Sequence, residues 1–277
     1  MNYRHAFHAG NFADVVKHAI LVRILIHLGA KTAPFRVVDL HAGAGLYDLS
    51  GEQASRSGEW REGIGRLRGA PSSSLLAPYV NAVAAVNCAG ELTVYPGSPV
   101  LARAFLRGED RLIACELEPT AAAELARNLR GDRRCKAIAI DGWTALNAYI
   151  PPKERRGVVL IDPSFEDAHE FSRAGKALAA AYRKWPTGIC LLWYPLKERR
   201  PADALAQHLQ RAGIGKMLRA EIDLPPRNCE RLSACGLIII NPPWLLEGEL
   251  RLLMPELVAA LGGPGGTHRV DWLACAK

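Results

Sequence analysis

Short apolar segments alternate with helical stretches along most of this chain, and this alternation constrains the fold more than any other feature. Near-continuous apolar strands separated by helices are typical of a parallel sheet that is buried on both faces. Helices are predicted over residues 119–130, 166–185 and 247–261. We predict five strands before residue 195 and two after residue 235, over residues 35–40, 111–116, 136–141, 157–162, 188–194, 236–241 and 268–275. The sequence therefore predicts an α/β fold.

The connection between the first two strands is longer than in an ordinary nucleotide-binding unit. In such a unit, the acidic residue that holds the ribose lies about 20 residues after the glycine turn. Here Gly45 and Glu116 lie 71 positions apart, so roughly 50 residues are inserted. Because structureless loops of that length are uncommon, we predict that residues 46–95 form a small helical insertion subdomain. The main domain then consists of residues 1–45 and 96–277.

Composition limits the class of protein but leaves its partner open. Hydrophobic residues make up 49% of the 277 residues, which excludes a disordered or fibrous chain. The formal net charge of +7 indicates an anionic partner, or it only improves solubility. The longest apolar run, residues 19–28, is too short to cross a bilayer, and nothing in the first fifteen residues marks export. The seven cysteines include no CxxC pair and no Cys/His cluster at zinc spacing, so we expect a reduced cytoplasmic protein without a structural metal.

A glycine turn follows the first predicted strand, in the segment DLHAGAG at residues 39–45. Glycines at a strand end permit a tight turn and let a ligand approach the backbone closely. A dinucleotide fingerprint requires a third glycine, and Asp48 stands at that position. The turn therefore favours a cofactor without a phosphate, although a lone glycine pair also occurs in ordinary loops.

Acidic residues end the next two predicted strands. Glu116 is placed to accept hydrogen bonds from two ribose hydroxyls, and Asp141 to accept one from an adenine amine. Either residue alone is also a common helix N-cap after a strand. Together with the glycine turn, they outline a site with the shape of adenosine.

The segment Asp162-Pro163-Ser164-Phe165 ends the fourth strand and resembles the motif of amino-methyltransferases. An adenine amine is a weak nucleophile because its lone pair is delocalised into the ring. A carboxylate and a proline carbonyl that accept its two hydrogens favour a tetrahedral nitrogen with a free lone pair, and an aromatic ring stacks on the base. The segment also fits a plain Asp-Pro turn. Asn241-Pro242-Pro243-Trp244 matches the motif better, but it follows a later strand.

The amino-terminal segment is rich in histidine and aromatic residues, which we interpret as too polar for core packing. Placed before a helix that begins near Phe12, it is expected to lie over the cofactor crevice. His5, His8, Asp14 and His18 are possible metal ligands, but the neighbouring Lys17 disfavours a bound cation.

Four segments of the chain together resemble the RlmJ family of 23S ribosomal RNA adenine-N6 methyltransferases. They are YRHAFHAGNFADVVKH at residues 3–18, VVDLHAGAG at residues 37–45, YPGSP at residues 95–99 and NPPW at residues 241–244. The resemblance covers nearly the whole chain, including the insertion. It implies a class I S-adenosylmethionine-dependent methyltransferase fold, which is Rossmann-like, with a mostly parallel seven-stranded sheet and one reversed strand. It also implies S-adenosylmethionine as cofactor, in agreement with the phosphate-free glycine turn.

The same resemblance implies roles for individual residues. Asp162 is expected to be the catalytic residue and to contact the cofactor. The other residues expected to contact the cofactor are His18, His41, Ser98, Glu116, Asp141 and Gly142. The residues expected near the substrate are Tyr3, His5, Lys17 and the stacking ring of Phe165. The family has Pro-Pro-Tyr after the catalytic acid, where this chain has Pro163-Ser164-Phe165.

We therefore predict a monomeric cytoplasmic enzyme that methylates the N6 amine of an adenine in 23S rRNA. Two alternatives stay open at this point. One is methylation of adenine in DNA, which uses the same chemistry. The other is a nucleic-acid-binding homologue whose turnover has been lost through Ser164. A nicotinamide-dependent dehydrogenase is disfavoured because the third glycine is absent.

Overall fold

The computed structural model of the chain describes residues 4–69, 72–87, 90–225 and 231–275. Strands in these residues form one large sheet and one two-stranded ladder. The strands are β1 (Arg36–Asp39), β2 (Leu46–Asp48), β3 (Val94–Pro96), β4 (Arg111–Glu116), β5 (Cys135–Ala139), β6 (Gly157–Ile161), β7 (Ile189–Pro195), β8 (Met217–Asp223), β9 (Ala234–Ile240) and β10 (Thr267–Ala274).

The large sheet has the strand order β10-β8-β9-β7-β6-β1-β4-β5. Strands β7, β6, β1, β4 and β5 are all parallel, while β9 is antiparallel to both β7 and β8. Strand β10 is antiparallel to β8. From β1, the later strands β4 and β5 therefore extend the sheet on one side, and β6 and β7 extend it on the other. The strand order thus changes direction beside β1, between β6 and β4. Ligands of open α/β sheets bind at such a switch point, outside the carboxyl ends of the strands.

The predicted fold class is confirmed, but two details of the sheet were wrong. The described sheet has eight strands rather than seven, and β9 and β10 both run against the parallel set, so two strands are reversed rather than one. The missed strand is β8, whose sequence carries charges at Arg219 and Glu221. Both side chains are buried. Arg219 donates two hydrogen bonds to the carboxylate of Asp271, and Glu221 accepts from the guanidinium of Arg199 and from the hydroxyl of Tyr194. These hydrogen bonds compensate the burial of the two charges. Because the charged residues interrupt the apolar pattern, the strand was not predicted from the sequence.

Helices cover both faces of the large sheet. Alternate residues of β1 illustrate the two layers, because Val37 belongs to one hydrophobic cluster and Val38 to the other. A 3-10 turn at His5–Phe7 precedes the first helix. The helices are α1 (Phe12–Gly29), α2 (Glu52–Ser57), α3 (Glu59–Glu62), α4 (Ile64–Leu67), α5 (Ala77–Ala85), α6 (Ser98–Ala104), α7 (Pro119–Asn128), α8 (Gly142–Tyr149), α9 (Glu170–Lys184), α10 (Arg199–Arg211) and α11 (Leu246–Leu261). Buried residues of α1, α6, α7 and α11 pack on the first face, and those of α8, α9 and α10 on the second.

Helix α1 carries the amino-terminal motif into the core. Its first turn is capped by the side chain of Asn11, which accepts a hydrogen bond from the amide of Asp14. The expectation that this segment is too polar for the core was wrong, since Asp14, Lys17 and His18 are all buried. Within the described residues, no helix combines the length and the apolar character that crossing a membrane requires.

The inserted segment begins and ends in the two-stranded ladder, where β2 pairs antiparallel with β3. Helices α2 to α5 lie between these strands. Buried side chains of the segment, such as Ile64 and Tyr79, belong to the same hydrophobic cluster as those of α1. Whether residues 46–95 form a separate subdomain stays a prediction.

Candidate active site

A cleft of about 680 Å³ lies at the carboxyl ends of the parallel strands. Sheet order places the predicted residues along it in sequence: Asp162 after β6, the glycine turn after β1, Glu116 at the end of β4 and Asp141 after β5. Residues predicted to contact the cofactor line the cleft together: His18, His41, Ser98, Glu116, Asp141, Gly142 and Asp162.

The glycine turn is shaped by a left-handed backbone and by a buried tyrosine. Gly43 has φ +59°, a conformation that favours glycine. A Cβ atom at Gly43 would lie 2.0 Å from the hydroxyl oxygen of Tyr47, so a side chain cannot be accommodated there. That hydroxyl accepts a hydrogen bond from the amide of Ala44 at 3.1 Å. Tyr47 therefore binds the backbone of the turn, and its hydroxyl occupies the space that a side chain at position 43 would need.

Backbone amides fix the carboxylate of Glu116. Its Oε1 accepts from the amides of Leu117 and Glu118, both at 2.8 Å, and its Oε2 accepts from the amide of Gly43 at 2.9 Å. Oε1 already accepts two hydrogen bonds, whereas Oε2 accepts one and keeps a second lone pair for a hydroxyl donor. Glu116 is thus a preorganised acceptor that also connects β4 to the glycine turn.

The two oxygens of the Asp141 carboxylate have different partners. Its Oδ2 caps α8 by accepting from the amide of Thr144 at 2.8 Å, so the structural alternative considered for this residue is present. Its Oδ1 lies 3.7 Å from the guanidinium of Arg173. The next residue, Gly142, passes close to the end of β1. A Cβ atom there would lie 2.5 Å from the carbonyl oxygen of Leu40.

Ser98 lines the cleft, and its hydroxyl forms a hydrogen bond with the buried end of β1. Its hydroxyl donates to Oδ2 of Asp39 at 2.6 Å, and the amide of His41 donates to Oδ1 at 3.3 Å. Burial raises the pKa of Asp39 to about 7, in spite of these two hydrogen bonds. Because the hydroxyl proton of Ser98 is held by Asp39, the lone pairs of Ser98 are available to a ligand.

Lys17 lies between two carboxylates, and it is 4% exposed. Its Nζ donates to Oδ1 of Asp14 at 2.7 Å and to Oδ2 of Asp162. Asp14 also accepts from Nε2 of His5 and from the amide of Gly10. Burial alone would lower the pKa of Lys17, but the two carboxylates raise it well above its usual value, so Lys17 is a buried cation. In the described part of the chain, no group of three or more His, Cys, Asp or Glu residues is arranged to hold a metal ion.

His41 joins the glycine turn to the end of β6. Its Nδ1 accepts a hydrogen bond from the amide of Asp162 at 3.2 Å, and its ring meets Trp143 edge-on at 5.6 Å. Burial lowers the pKa of His41 to about 4, so the imidazole is neutral at neutral pH. His41 therefore fixes the backbone from which the Asp162 side chain projects.

A second cleft, of about 610 Å³, lies on the other side of Asp162. Its wall contains the ring of Phe165, which lies 4.6 Å from the ring of Phe171 and 5.9 Å from that of Trp193, measured between centroids. Lys197 and Arg231 lie at its exposed rim. Both clefts are lined by His5, Lys17, Asp162, Pro163 and Ser164. Two ligands bound in the two clefts therefore meet beside Asp162.

The alternative motif at Asn241 lies at the opposite edge of the sheet. Because β9 runs antiparallel to β7, its last residue, Ile240, pairs with Cys190 near the beginning of β7. The amide nitrogen of Asn241 donates to the carbonyl oxygens of Pro186 and Gly188, both at 2.8 Å. This role is structural, and it removes Asn241 as a candidate for the catalytic residue.

Sequence reasoning missed several residues of the site, and one predicted residue is not described. Phe171 and Trp193 line the second cleft but lie within an ordinary amphipathic helix and an ordinary strand, which gave no signal. Tyr95, which contacts His18, was noticed only as part of the YPGSP segment. Tyr3 lies outside the described residues.

Comparison with known proteins finds the same family along nearly the whole chain. Residues 32–274 match the family model described as "Ribosomal RNA large subunit methyltransferase D, RlmJ". The chain is 39% identical over 276 residues to the ribosomal RNA large subunit methyltransferase J of Escherichia coli strain K12, and 37% identical over 279 residues to that of Haemophilus influenzae strain Rd; each match covers 99% of both chains. The crystal structure of protein LPL1258 from Legionella pneumophila superimposes with a TM-score of 0.89 at 34% identity, over 96% of this chain and 98% of that one.

Proposed function

This chain belongs to the RlmJ family of ribosomal RNA large subunit methyltransferases, and we propose that it methylates the N6 amine of an adenine in 23S rRNA with S-adenosylmethionine as donor. The observation that carries this proposal is the meeting of two clefts at Asp162. One cleft has the acceptors that an adenosine requires, and the other has aromatic rings beside a catalytic carboxylate. Nothing in the described residues favours DNA as acceptor or a function without turnover.

The first cleft fits S-adenosylmethionine in size and in chemistry. Its volume of about 680 Å³ lies within the usual range of small-molecule sites. The turn at Gly43 excludes a side chain, and Glu116 presents a fixed carboxylate where ribose hydroxyls bind in this class of sheet. When bound, the cofactor supplies an electrophilic methyl group on a sulfonium sulfur. The residues that would hold it are His18, His41, Ser98, Glu116, Asp141, Gly142 and Asp162.

Asp162 has one oxygen available to the acceptor amine. Lys17 holds Oδ2, whereas Oδ1 accepts no hydrogen bond from any described residue. In our proposal Oδ1 accepts one hydrogen of the adenine amine and the carbonyl of Pro163 accepts the other. The amine nitrogen then keeps a localised lone pair directed at the methyl group. Because Lys17 and the His41 ring restrain Asp162, catalysis consists mainly of positioning and charge arrangement.

The second cleft suits the target base. A base inside an RNA stack cannot reach Asp162, so it must turn out of the stack to react. Stacking on an aromatic ring such as Phe165 contributes on the order of 1–3 kcal/mol to holding it. Lys197 and Arg231 at the rim carry the charge that neighbouring phosphates require. We propose that Tyr3, His5 and Lys17 complete the substrate side, and that the enzyme acts as a cytoplasmic monomer.

Mass spectrometry of rRNA tests this function. We expect 23S rRNA from cells that lack this protein to be missing one N6-methyladenine, and a plasmid copy of the gene to restore it. An unchanged set of N6-methyladenines would contradict the proposal. Purified enzyme offered 23S rRNA and duplex DNA side by side, with labelled cofactor, should label the RNA; label only in the DNA would favour the alternative.

A further inference from the structure

Three buried polar side chains are joined in a chain of hydrogen bonds behind the first cleft. Nδ1 of His18, on α1, lies 2.7 Å from the hydroxyl of Tyr95, on β3, and this hydroxyl lies 3.0 Å from that of Tyr79, on α5. All three side chains are at most 1% exposed. The rings of His18 and Tyr95 are stacked, with centroids 5.7 Å apart. The inserted segment thus reaches the site through two hydroxyl groups.

The numbers of donors and acceptors determine the direction of these two hydrogen bonds. If Tyr79 donates to Tyr95 and Tyr95 donates to Nδ1 of His18, both hydroxyl protons have acceptors. In the reverse direction, Tyr95 would donate to Tyr79, and the proton of the Tyr79 hydroxyl would have no acceptor among the described residues. A buried donor without an acceptor is costly, whereas a spare lone pair on a hydroxyl is not. The forward direction is therefore favoured, and Nδ1 of His18 is an acceptor.

The protonation state of His18 completes this reasoning. Burial lowers the pKa of His18 to about 3, an effect that the charge of Asp14 opposes and that of Lys17 reinforces. The ring is therefore neutral and carries one proton, which must be on Nε2 when Nδ1 is an acceptor. Within the described residues Nε2 has no hydrogen-bond partner, and His18 lines the first cleft. His18 thus presents an N–H donor to whatever occupies that end of the cleft.

The sheet order indicates which part of the cofactor lies there. Glu116 at the end of β4 is assigned to the ribose and Asp141 after β5 to the adenine, so the amino-acid end extends in the other direction, toward β1 and α1. That end carries one carboxylate and one ammonium group. A donor at His18 matches the carboxylate, and the lone pairs of Ser98 match the ammonium group.

We propose that Tyr95, supported by Tyr79, is a positioning residue that fixes the Nε2–H tautomer of His18, and that this N–H binds the carboxylate of the cofactor. The inference rests on the proposed function for the identity of the cofactor. The inserted segment then contributes to cofactor binding through Tyr79 and Tyr95. This contribution explains why the segment packs against α1, which carries His18. A role for Tyr95 in packing alone would make no distinction between ligands with and without the amino-acid end.

Calorimetry with two ligands makes that distinction. S-adenosylhomocysteine has the amino-acid end, whereas 5′-methylthioadenosine keeps the adenosine and the sulfur but lacks the carboxylate and the ammonium group. Tyr95→Phe removes the preference between the two tautomers of His18, so only part of the protein presents the Nε2–H donor. We therefore expect S-adenosylhomocysteine to bind roughly three- to fivefold more weakly and 5′-methylthioadenosine to bind with unchanged affinity. Tyr79→Phe leaves Tyr95 able to donate to His18, so a loss of less than about twofold on S-adenosylhomocysteine is expected.

Equal losses for both ligands in Tyr95→Phe, or no loss for either, would overturn the inference while the proposed function stands. Failure of the wild type to bind S-adenosylhomocysteine would overturn both. Nitrogen NMR of ¹⁵N-histidine-labelled protein supplies a readout without ligand, with the His18 signals assigned by their absence in His18→Asn. We expect an unprotonated Nδ1 and a protonated Nε2 in the wild type, and a mixture of tautomers in Tyr95→Phe. A protonated Nδ1 in the wild type would refute the proposed direction of the chain.

Discussion

Replacing Lys17 with methionine tests whether the buried ion pair between Lys17 and Asp14 stabilises the folded protein. Methionine has similar length and volume but no charge, so the substitution leaves Asp14 as an ionised group that is 2% exposed. Asp162 also loses its partner, but its side chain is 16% exposed and water can replace the ammonium group. The cost is therefore expected to arise mainly at Asp14.

The expected magnitude follows from the surroundings of Asp14. Removing one partner of a buried ion pair usually costs about 3–5 kcal/mol. The amide of Gly10 and the ring of His5 still donate to Asp14, so we expect the lower end, about 3 kcal/mol at pH 7. In a protein of this size that corresponds to a fall in melting temperature of roughly 6–12 °C. The double variant Asp14→Asn/Lys17→Met removes both charges and should recover most of the loss.

The pH dependence gives this prediction a second signature. In the wild type, burial raises the pKa of Asp14, but Lys17 and, after it, His5 lower this pKa to well below its usual value. Without Lys17, burial dominates and the folded-state pKa of Asp14 rises above the unfolded value. The destabilisation is then largest above that raised pKa and disappears as the pH falls and Asp14 is protonated in both states. Urea unfolding at pH 7 and pH 4.5 measures it. Equal stability of wild type and Lys17→Met at pH 7, or a double variant no more stable than the single one, would refute the reasoning.

Three further predictions concern the cleft. Glu116→Ala should weaken binding of S-adenosylhomocysteine tenfold or more, because the acceptor for the ribose and the link to the glycine turn are both lost; unchanged affinity in calorimetry would contradict this. Burial raises the pKa of Asp39 to about 7, so the contribution of this residue to stability should fall as the pH rises from about 4 to 7. Asp39→Asn, which cannot ionise, should be the more stable protein at pH 8, and chemical unfolding should show this gap closing near pH 4; a gap independent of pH would count against it. The amide of Ser164 donates to no described residue, so Ser164→Pro should keep the cofactor affinity and an equal or higher single-turnover rate; a slower variant that binds cofactor normally would contradict this.

The sequence predicted the sheet best where its strands are apolar on both faces. Strands β4 and β6 were predicted to within one residue of their described bounds, because every residue in them except the ends packs in the core. Strand β8 was missed because the charges of Arg219 and Glu221 are compensated by Asp271 and Arg199, and no local pattern shows partners so distant in sequence. The antiparallel end of the sheet was therefore underestimated.

The same distinction applies to the site. Glu116, Asp141 and Asp162 were predictable because an acidic residue directly after an apolar strand must lie at the edge where ligands bind. The network of Lys17 with Asp14 and Asp162 was not, since it joins a helix to a strand end 145 positions away. The burial of that network depends on packing that no short segment of the sequence specifies.

Single-turnover methylation of protein-free 23S rRNA by Asp162→Ala tests the central claim most directly, with Asn241→Ala as the matched control from the other edge of the sheet. With labelled S-adenosylmethionine and an equal amount of folded protein, we expect the rate of Asp162→Ala to fall roughly 100-fold or more while its affinity for the RNA is retained. The Asn241→Ala variant should remain within a few-fold of the wild type, because the side chain of Asn241 donates to backbone carbonyls of the 186–188 turn, away from both clefts. Undiminished label in N6-methyladenine with Asp162→Ala, or an equal loss in both variants, would contradict the account.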